Sequence, residues 1–364
     1  MNDFPRIVTE TIVDTFGPSE LIEQRVEVRD GVFETWRLVS LPEVVKVIVR
    51  DSTGHTLLYR EDRPDINIVD WQLPSAEIAA GNGTLQTAQR ILNNLGFPEV
   101  ECEISAVSHN SATIKSPIAF VTAIIGSPDP ANAHLRSFSA EDLFLLLRSG
   151  GMADDRSARR LYDLLPLDLS KNWRWRFDIP QQPSSVDGQF SHLARVRSKR
   201  EFGIFILMEI EDAKDSRSPG KYVVQRSDGV RIIAIDDKSR LLLTHEKRSE
   251  MGGWDWRLPG GKVKGGDAKG TAKKELADET GFSASRWSHI YSSADEPTTI
   301  YNLHYFVATD LVPGVQALHG AEEIEVAWFY PDEAFALLRA GQINEDRTAR
   351  VLYELLDLTL KQAI

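Results

Sequence analysis

Only one cysteine, Cys102, occurs in the 364 residues. It excludes an internal disulfide and any metal site built from several thiolates, and it fits a reducing, cytoplasmic compartment. Long apolar runs are missing too, since none approaches the roughly 20 residues that a membrane helix needs. The opening stretch, MNDFPRIVTETIVDTF, starts acidic and lacks the basic-then-apolar order of an export signal. A cytoplasmic protein with no membrane partner is therefore expected. Basic residues are in deficit: 42 Lys and Arg against 54 Asp and Glu leave a formal charge of −12. That is the wrong sign for a nucleic-acid surface, where binding is mostly cation-driven. Small phosphorylated ligands are not excluded, because one Arg and a metal ion outweigh the global field at short range. What is present, 42% hydrophobic and 26% charged residues, is the composition of a globular chain long enough for about two domains.

The chain repeats itself. WQLPSAEIAAGNGTLQTAQRILNNLGF (Trp71 to Phe97) and WRLPGGKVKGGDAKGTAKKELADETGF (Trp256 to Phe282) share Trp, Leu-Pro, a glycine before a helical stretch and a final Gly-Phe. TIKSPIAFVTAI (113 to 124) resembles TIYNLHYFVATD (299 to 310), and SAEDLFLLLRSGGMADDRSARRLYDLL (139 to 165) resembles YPDEAFALLRAGQINEDRTARVLYELL (330 to 356). Trp71 pairs with Trp256 at an offset of 185 and Arg159 with Arg350 at 191, so the second copy gained about six residues between them. A period this long marks a duplicated domain rather than a solenoid. Each copy starts with β-branched runs broken by a turn, VVKVIVRDSTGHTLLYRE and VRIIAIDDKSRLLLTHEK, and ends in an amphipathic helix. The reading divides the chain into residues 1–168, a linker at 169–196 pinned by its tryptophan pair, and residues 197–364. The stretch REFGIFILMEIEDAKDSRSPGKYVVQR reads as an extra hairpin leading into the second copy.

In the second copy Glu275, Asp278 and Glu279 fall at i, i+3 and i+4, one face of a helix that ends at Gly281, a left-handed cap, with Phe282 packing back on the last turn. A charged run is ordinarily a solvated face. Here it follows a strand ending in Trp-Arg-Leu-Pro and a glycine-rich loop, and that constellation favours a site. Crowded carboxylates repel one another, and a dication removes the cost. Oxygen ligands at this density suit Mg²⁺ or Mn²⁺, with the Gly260 carbonyl as a further ligand.

At this point the sequence resembles the Nudix hydrolase family. Gly261 matches the first Gly of its signature box, Asp267 stands for the first Glu, Lys274-Glu275 for Arg-Glu, Leu276 for an aliphatic, Asp278-Glu279 for Glu-Glu, and Gly281-Phe282 for the end. Asp replaces Glu twice, Lys replaces Arg, Lys264 stands where an acid is common, and the loop between Asp267 and Lys274 is one residue short. The resemblance implies two tandem Nudix-type α/β/α sandwich domains with mixed β-sheets, arranged as an intramolecular pseudo-dimer. It implies Mg²⁺-dependent hydrolysis of a nucleoside diphosphate derivative, with ADP-ribose or another ADP-sugar as first choice. Glu275, Asp278 and Glu279 would hold the metal, with Glu275 also counted among the catalytic groups. Glu322 or Glu323 in HGAEEIEVAWF would be the general base, Arg248 would meet a phosphate with Lys247 as the spare, and Trp254 would stack on a base. Trp256 recurs as Trp71 and is read as structural.

The first copy is bare. Between Ile78 and Pro98 there is no Asp or Glu, and Glu275, Asp278 and Glu279 fall opposite Arg90, Asn93 and Asn94. Glu322 and Glu323 fall opposite Ala131 and Asn132. The first copy is accordingly expected to be a non-catalytic partner for the second, with LLYREDRP, carrying Arg60 and Arg63, as the stretch that reaches its pocket. The substrate would be a small nucleotide, and the chain either a monomer acting as a pseudo-dimer or a homodimer. The rivals are a regulatory protein that binds a nucleotide without cutting it, and an enzyme that cleans up nucleoside triphosphates.

Overall fold

The computed structural model describes residues 6–63, 68–108, 113–126, 135–168, 173–180, 194–212, 220–248, 253–294, 298–319 and 322–361. Each half opens with three antiparallel strands. Arg6–Phe16, Ser19–Arg29 and Val32–Ser40 pair in order, and Ala194–Phe202, Phe205–Asp212 and Lys221–Gln225 repeat the arrangement. A short parallel strand from later in the same half completes each sheet: Ile114–Lys115 in the first and Thr299–Ile300 in the second. The hairpin expected only ahead of the second copy thus has a counterpart in residues 6–40. The two sheets have diverged until little beyond Phe16-Gly17 and Phe202-Gly203 recurs at the first turn. Both glycines take positive φ, 57° and 60°, and each is covered from the opposite sheet, Gly17 by Tyr222 and Gly203 by Arg37. Leu21, Val39, Leu41 and Ile114 share a buried cluster with Phe205, Leu207 and Val224, so these sheets cover one another's apolar faces.

The main sheet of the first half runs in the order Leu135–Phe138, Thr56–Arg63, Val44–Asp51, Ile118–Ile125, Cys102–Ser108, with Ile118–Ile125 parallel to Val44–Asp51. In the second half the corresponding strands form two three-stranded sheets. One holds Gly229–Ala234, Asn302–Pro313 and Phe282–Ala294, the other Gly253–Arg257, Leu241–Arg248 and Ile324–Phe329. With the helices α1 (Thr84–Asn94), α2 (Ala140–Arg148), α3 (Asp155–Leu164), α4 (Ala268–Thr280), α5 (Pro331–Arg339) and α6 (Asp346–Leu355) this is the expected mixed α/β class. No helix among the described residues is long and apolar enough to cross a membrane.

Equivalent helices do equivalent jobs. In α1, Ala88, Ile91 and Leu92 face Val45, Val47 and Val49; in α4, Ala272 and Leu276 face Val230, Ile232 and Ala234. Helices α3 and α6 meet each other instead. Arg159 donates to Asp346 at 2.7 Å and Arg350 to Asp155 at 2.7 Å, which is one contact made twice, since each partner is the other's aligned position. Ser108 to Asp346 and Ser293 to Asp155 repeat the reciprocity. The largest apolar cluster accordingly runs through both halves, from Ile48 and Phe120 to Tyr305 and Leu356. In the connecting segment Trp173 packs on Phe335 at 4.9 Å and the Trp175 indole donates to the Ser239 carbonyl at 2.9 Å.

Candidate active site

The acidic helix is placed by its ends and its apolar face. The Asp267 carboxylate caps α4 by accepting from the Gly270 N–H at 2.8 Å. Gly281 closes it in the left-handed region, φ 73°, and donates to the Ala277 carbonyl at 2.9 Å. Asp267 therefore keeps a capping role despite the shortened loop. Phe282 packs in the same cluster as Leu276, as the Gly-Phe stop implied, and meets Trp328 edge-on at 5.5 Å.

With Leu276 buried against the sheet, Glu279 is driven inwards to 7% exposure, where it accepts the Gly260 N–H at 2.8 Å. Burial raises its carboxyl well above the usual range, with Glu246 and then Glu275 adding to the rise against that hydrogen bond. Glu275 is also raised, first by burial and then by Asp278 and Glu322, while Lys264 and Lys274 oppose. The glycine turn is what admits it, because a Cβ on Gly261 would lie 2.6 Å from the Glu275 carboxylate. The first copy carries Ser75 and Ala76 at the two glycine positions, so its turn has lost that space as well as the acids.

Asp278 points elsewhere. It accepts from Lys274, and from the His319 ring at 3.1 Å, and these contacts hold its carboxyl below the usual range. Among the described residues no three His, Cys, Asp or Glu side chains are gathered closely enough to hold a metal. Glu275 and Glu279 nonetheless fit a dication: both are carboxylates whose ionised forms lack sufficient counter-charge, beside a turn with no side chains in the way.

Of the two proposed bases, Glu322 lies where its charge acts on Glu275 and Lys274, and it accepts the His319 N–H at 2.9 Å. Glu323 turns to Lys247 at 3.0 Å. Arg248 ends its strand opposite Gly253, while its side chain, like that of Arg63, lies outside the described residues, as do Ala131 and Asn132. Arg60 lies over the Trp71 ring at 5.6 Å, within its own half. Trp254 is 40% exposed and packs on His245 at 4.9 Å. Trp256 stacks on the same imidazole, 4.3 Å from His245, and meets Phe329 edge-on at 4.9 Å. Trp71 meets Phe138 in the same way at 5.0 Å, which is the structural duty that the recurrence implied.

Sequence reasoning missed Glu246. It is buried, accepts from Thr244 at 2.8 Å, and its charge acts on Glu279. The available signal was alternation: Leu242, Thr244 and Glu246 share the inward face of one strand, so the acid occupies a core position. His319, the partner of Asp278, was passed over in the same loop as the proposed bases.

The NUDIX domain profile matches residues 225–351. The chain is 32% identical over 156 residues, 40% of its length and 73% of the relative's, to a CMP-5'-(N-acetyl-N-hydroxy-3-aminopropyl)phosphonate hydrolase of Streptomyces rubellomurinus. It is 30% identical to an ADP-ribose pyrophosphatase of Mycobacterium tuberculosis, covering 37% of this chain and 71% of that one. To an ADP-ribose pyrophosphatase of Bacillus subtilis it is 24% identical, covering 44% and 89%.

Proposed function

Because the chain belongs to the Nudix family, we propose that its second half hydrolyses the pyrophosphate bond of a nucleoside diphosphate derivative, with ADP-ribose or another ADP-sugar as first substrate and Mg²⁺ or Mn²⁺ as cofactor. The observation that carries the reading is the pair Glu275 and Glu279, both with carboxyls raised by burial beside the Gly260-Gly261 turn. A bound dication supplies charge neutralisation on the diphosphate and a lower pKa for its water. Glu279, held by the Gly260 N–H, and Glu275, admitted by the missing Cβ of Gly261, would hold that charge together with the Gly260 carbonyl and Asp278. Glu322 takes the proton of the attacking water, being the member of the acid pair not committed to Lys247. The water oxygen bonds to one phosphorus as the bridging P–O bond breaks, giving two phosphate monoesters. Trp254, exposed beside His245, stacks on the base, and Arg248 meets a phosphate.

The first half acts as a non-catalytic partner. Its support is the reciprocal α3–α6 contact and the paired opening sheets, as expected of a single chain folded as an internal pseudo-dimer. Residues 194–364 expressed alone should dimerise or precipitate, and a soluble, fully active monomer by light scattering would refute this part. The engagement of Asp278 by Lys274 and His319 favours a second reading, nucleotide binding without cleavage. Phosphate-ester release from ADP-ribose, ADP-sugars, dinucleotides and nucleoside triphosphates with Mg²⁺ or Mn²⁺ separates the two, because only the first reading gives turnover.

A further inference from the structure

The half that lacks the three helix carboxylates has kept a cavity. It measures about 520 Å³ and is lined by Lys46, Glu61, Gln72 and Ser75 of the first half together with Lys221 and Tyr222 of the second. Cavities of this size hold small organic ligands. Four of these residues are the aligned positions of Arg231, Glu246, Arg257 and Gly260, so the cavity borders the first-half counterparts of the glycine turn and of the buried Glu246, while no residue of α1 lines it. It is not a decayed solvent pit, because two of its walls come from different halves and Lys46 and Gln72 are each 3% exposed.

Its chemistry differs from that of the second half in a definite direction. With Arg90, Asn93 and Asn94 at the metal-ligand positions, no dication can be held against a diphosphate. The lysines are already matched: Lys46 is ion-paired with Asp154, and Lys221 stands 4.0 Å from Glu61. A bound dianion would face Glu61 with only the exposed, loosely paired Lys221 to offset it. What the walls do offer is an apolar surface including Leu41, Pro42 and the part of Tyr222 not packed on Gly17 and Phe16, with remaining hydrogen-bonding capacity on Ser75, on the Gln72 carbonyl oxygen, whose amide nitrogen donates to Asp70, and on the Glu61 carboxylate, which also accepts from the Tyr59 hydroxyl at 2.9 Å.

We propose that this cavity between the first half and the Lys221–Gln225 strand is a metal-independent binding site for an uncharged, hydroxyl-bearing heterocycle of nucleoside size. This goes beyond the hydrolase reading and needs no turnover. Equilibrium dialysis of the full chain with labelled adenosine in EDTA is the test, with ADP as the charged counterpart. Saturable adenosine binding is expected at about one equivalent per chain, unchanged in Glu279→Gln. Ser75→Trp, which fills the cavity from an exposed position, should weaken it by about tenfold or more, and ADP should bind no tighter than adenosine. Absence of saturable binding, survival of binding in Ser75→Trp, its loss in Glu279→Gln, or ADP binding about tenfold tighter than adenosine would each overturn the proposal. Should Ser75→Trp fail to give a cooperative melt, Tyr222→Ala removes the wall from the other half and must weaken binding to the same degree.

Discussion

Tyr162 and Tyr353 stack face to face, their ring centroids 5.1 Å apart and their planes 13° from parallel. They are the same position of the two copies, so a local twofold relation passes between them and the surrounding contacts come in pairs. The same relation holds for Lys46 with Asp154 and Arg231 with Glu345, and for Asp70 accepting from Ala153 N–H and Asp255 from Asn344 N–H, at 3.1 and 2.7 Å. Two strongly diverged stretches keep these pairs where at least one partner is buried or nearly so and each side needs the other.

Arg350 is the largest fully buried side chain among the described residues, donating to Asp155, Glu354 and the Met152 and Ala153 carbonyls. Arg350→Ala removes the buried cation that Asp155 and Glu354 share, leaving Arg347 3.9 Å from Asp155, and should cost about 3–5 kcal/mol in urea unfolding. A cost within about 0.5 kcal/mol, the range of ordinary surface changes, would mean that α3 and α6 do not dock as described.

Glu279 should destabilise the fold at neutral pH. A carboxyl whose folded pKa is raised disfavours the native state once pH climbs above its unfolded value of about 4.3. Glu279→Gln removes that penalty and still accepts the Gly260 N–H through its amide oxygen. Melting curves in metal-free buffer should show the variant above the parent at pH 7 to 8, with the gap closing near pH 4. A variant less stable than the parent throughout would contradict the raised carboxyl.

Lys274 competes with a cation for Asp278. Removing it in Lys274→Met should tighten Mn²⁺ binding by about two- to fivefold in calorimetry, as expected for an exposed ion pair. Weaker binding would show that Lys274 supports the site rather than blocking it.

Acid should loosen both halves by the same mechanism. Burial alone would raise the carboxyls of Asp154 and Glu345, but Lys46 in one case, and Arg231 with Arg257 in the other, bring both below the usual range. Groups depressed in the folded state contribute stability above their unfolded pKa, about 4, and lose it as pH falls towards the folded value. Unfolding free energy should therefore fall steeply below about pH 4, and Lys46→Met should flatten that fall. An unchanged acid limb in the variant would remove Asp154 as its source.

Much of this could be read from the residues. The helix at 268–280 was legible because its cap, its carboxylate spacing and its Gly-Phe stop are all local, and the repeat was legible because Trp, Leu-Pro and Gly-Phe fix the same turns twice. The opening sheet of the first half was not, because alternating strands tolerate almost any side chains of the right polarity and keep no motif beyond Phe-Gly. Glu246 was hidden for a related reason: an acid on a strand looks like solvated surface until the face it shares with Leu242 and Thr244 is known to be buried. The engagement of Asp278 by His319 joins positions 41 residues apart, and local spacing carries no trace of it.

The most direct test is steady-state cleavage of ADP-ribose by the full chain with Mg²⁺ or Mn²⁺, beside Glu275→Gln and Glu279→Gln, with products resolved by chromatography. The account predicts AMP and ribose 5-phosphate from the parent and a loss of at least about 10²-fold in kcat from each variant, with cooperative melts retained. Near-parental rates in both variants would contradict it.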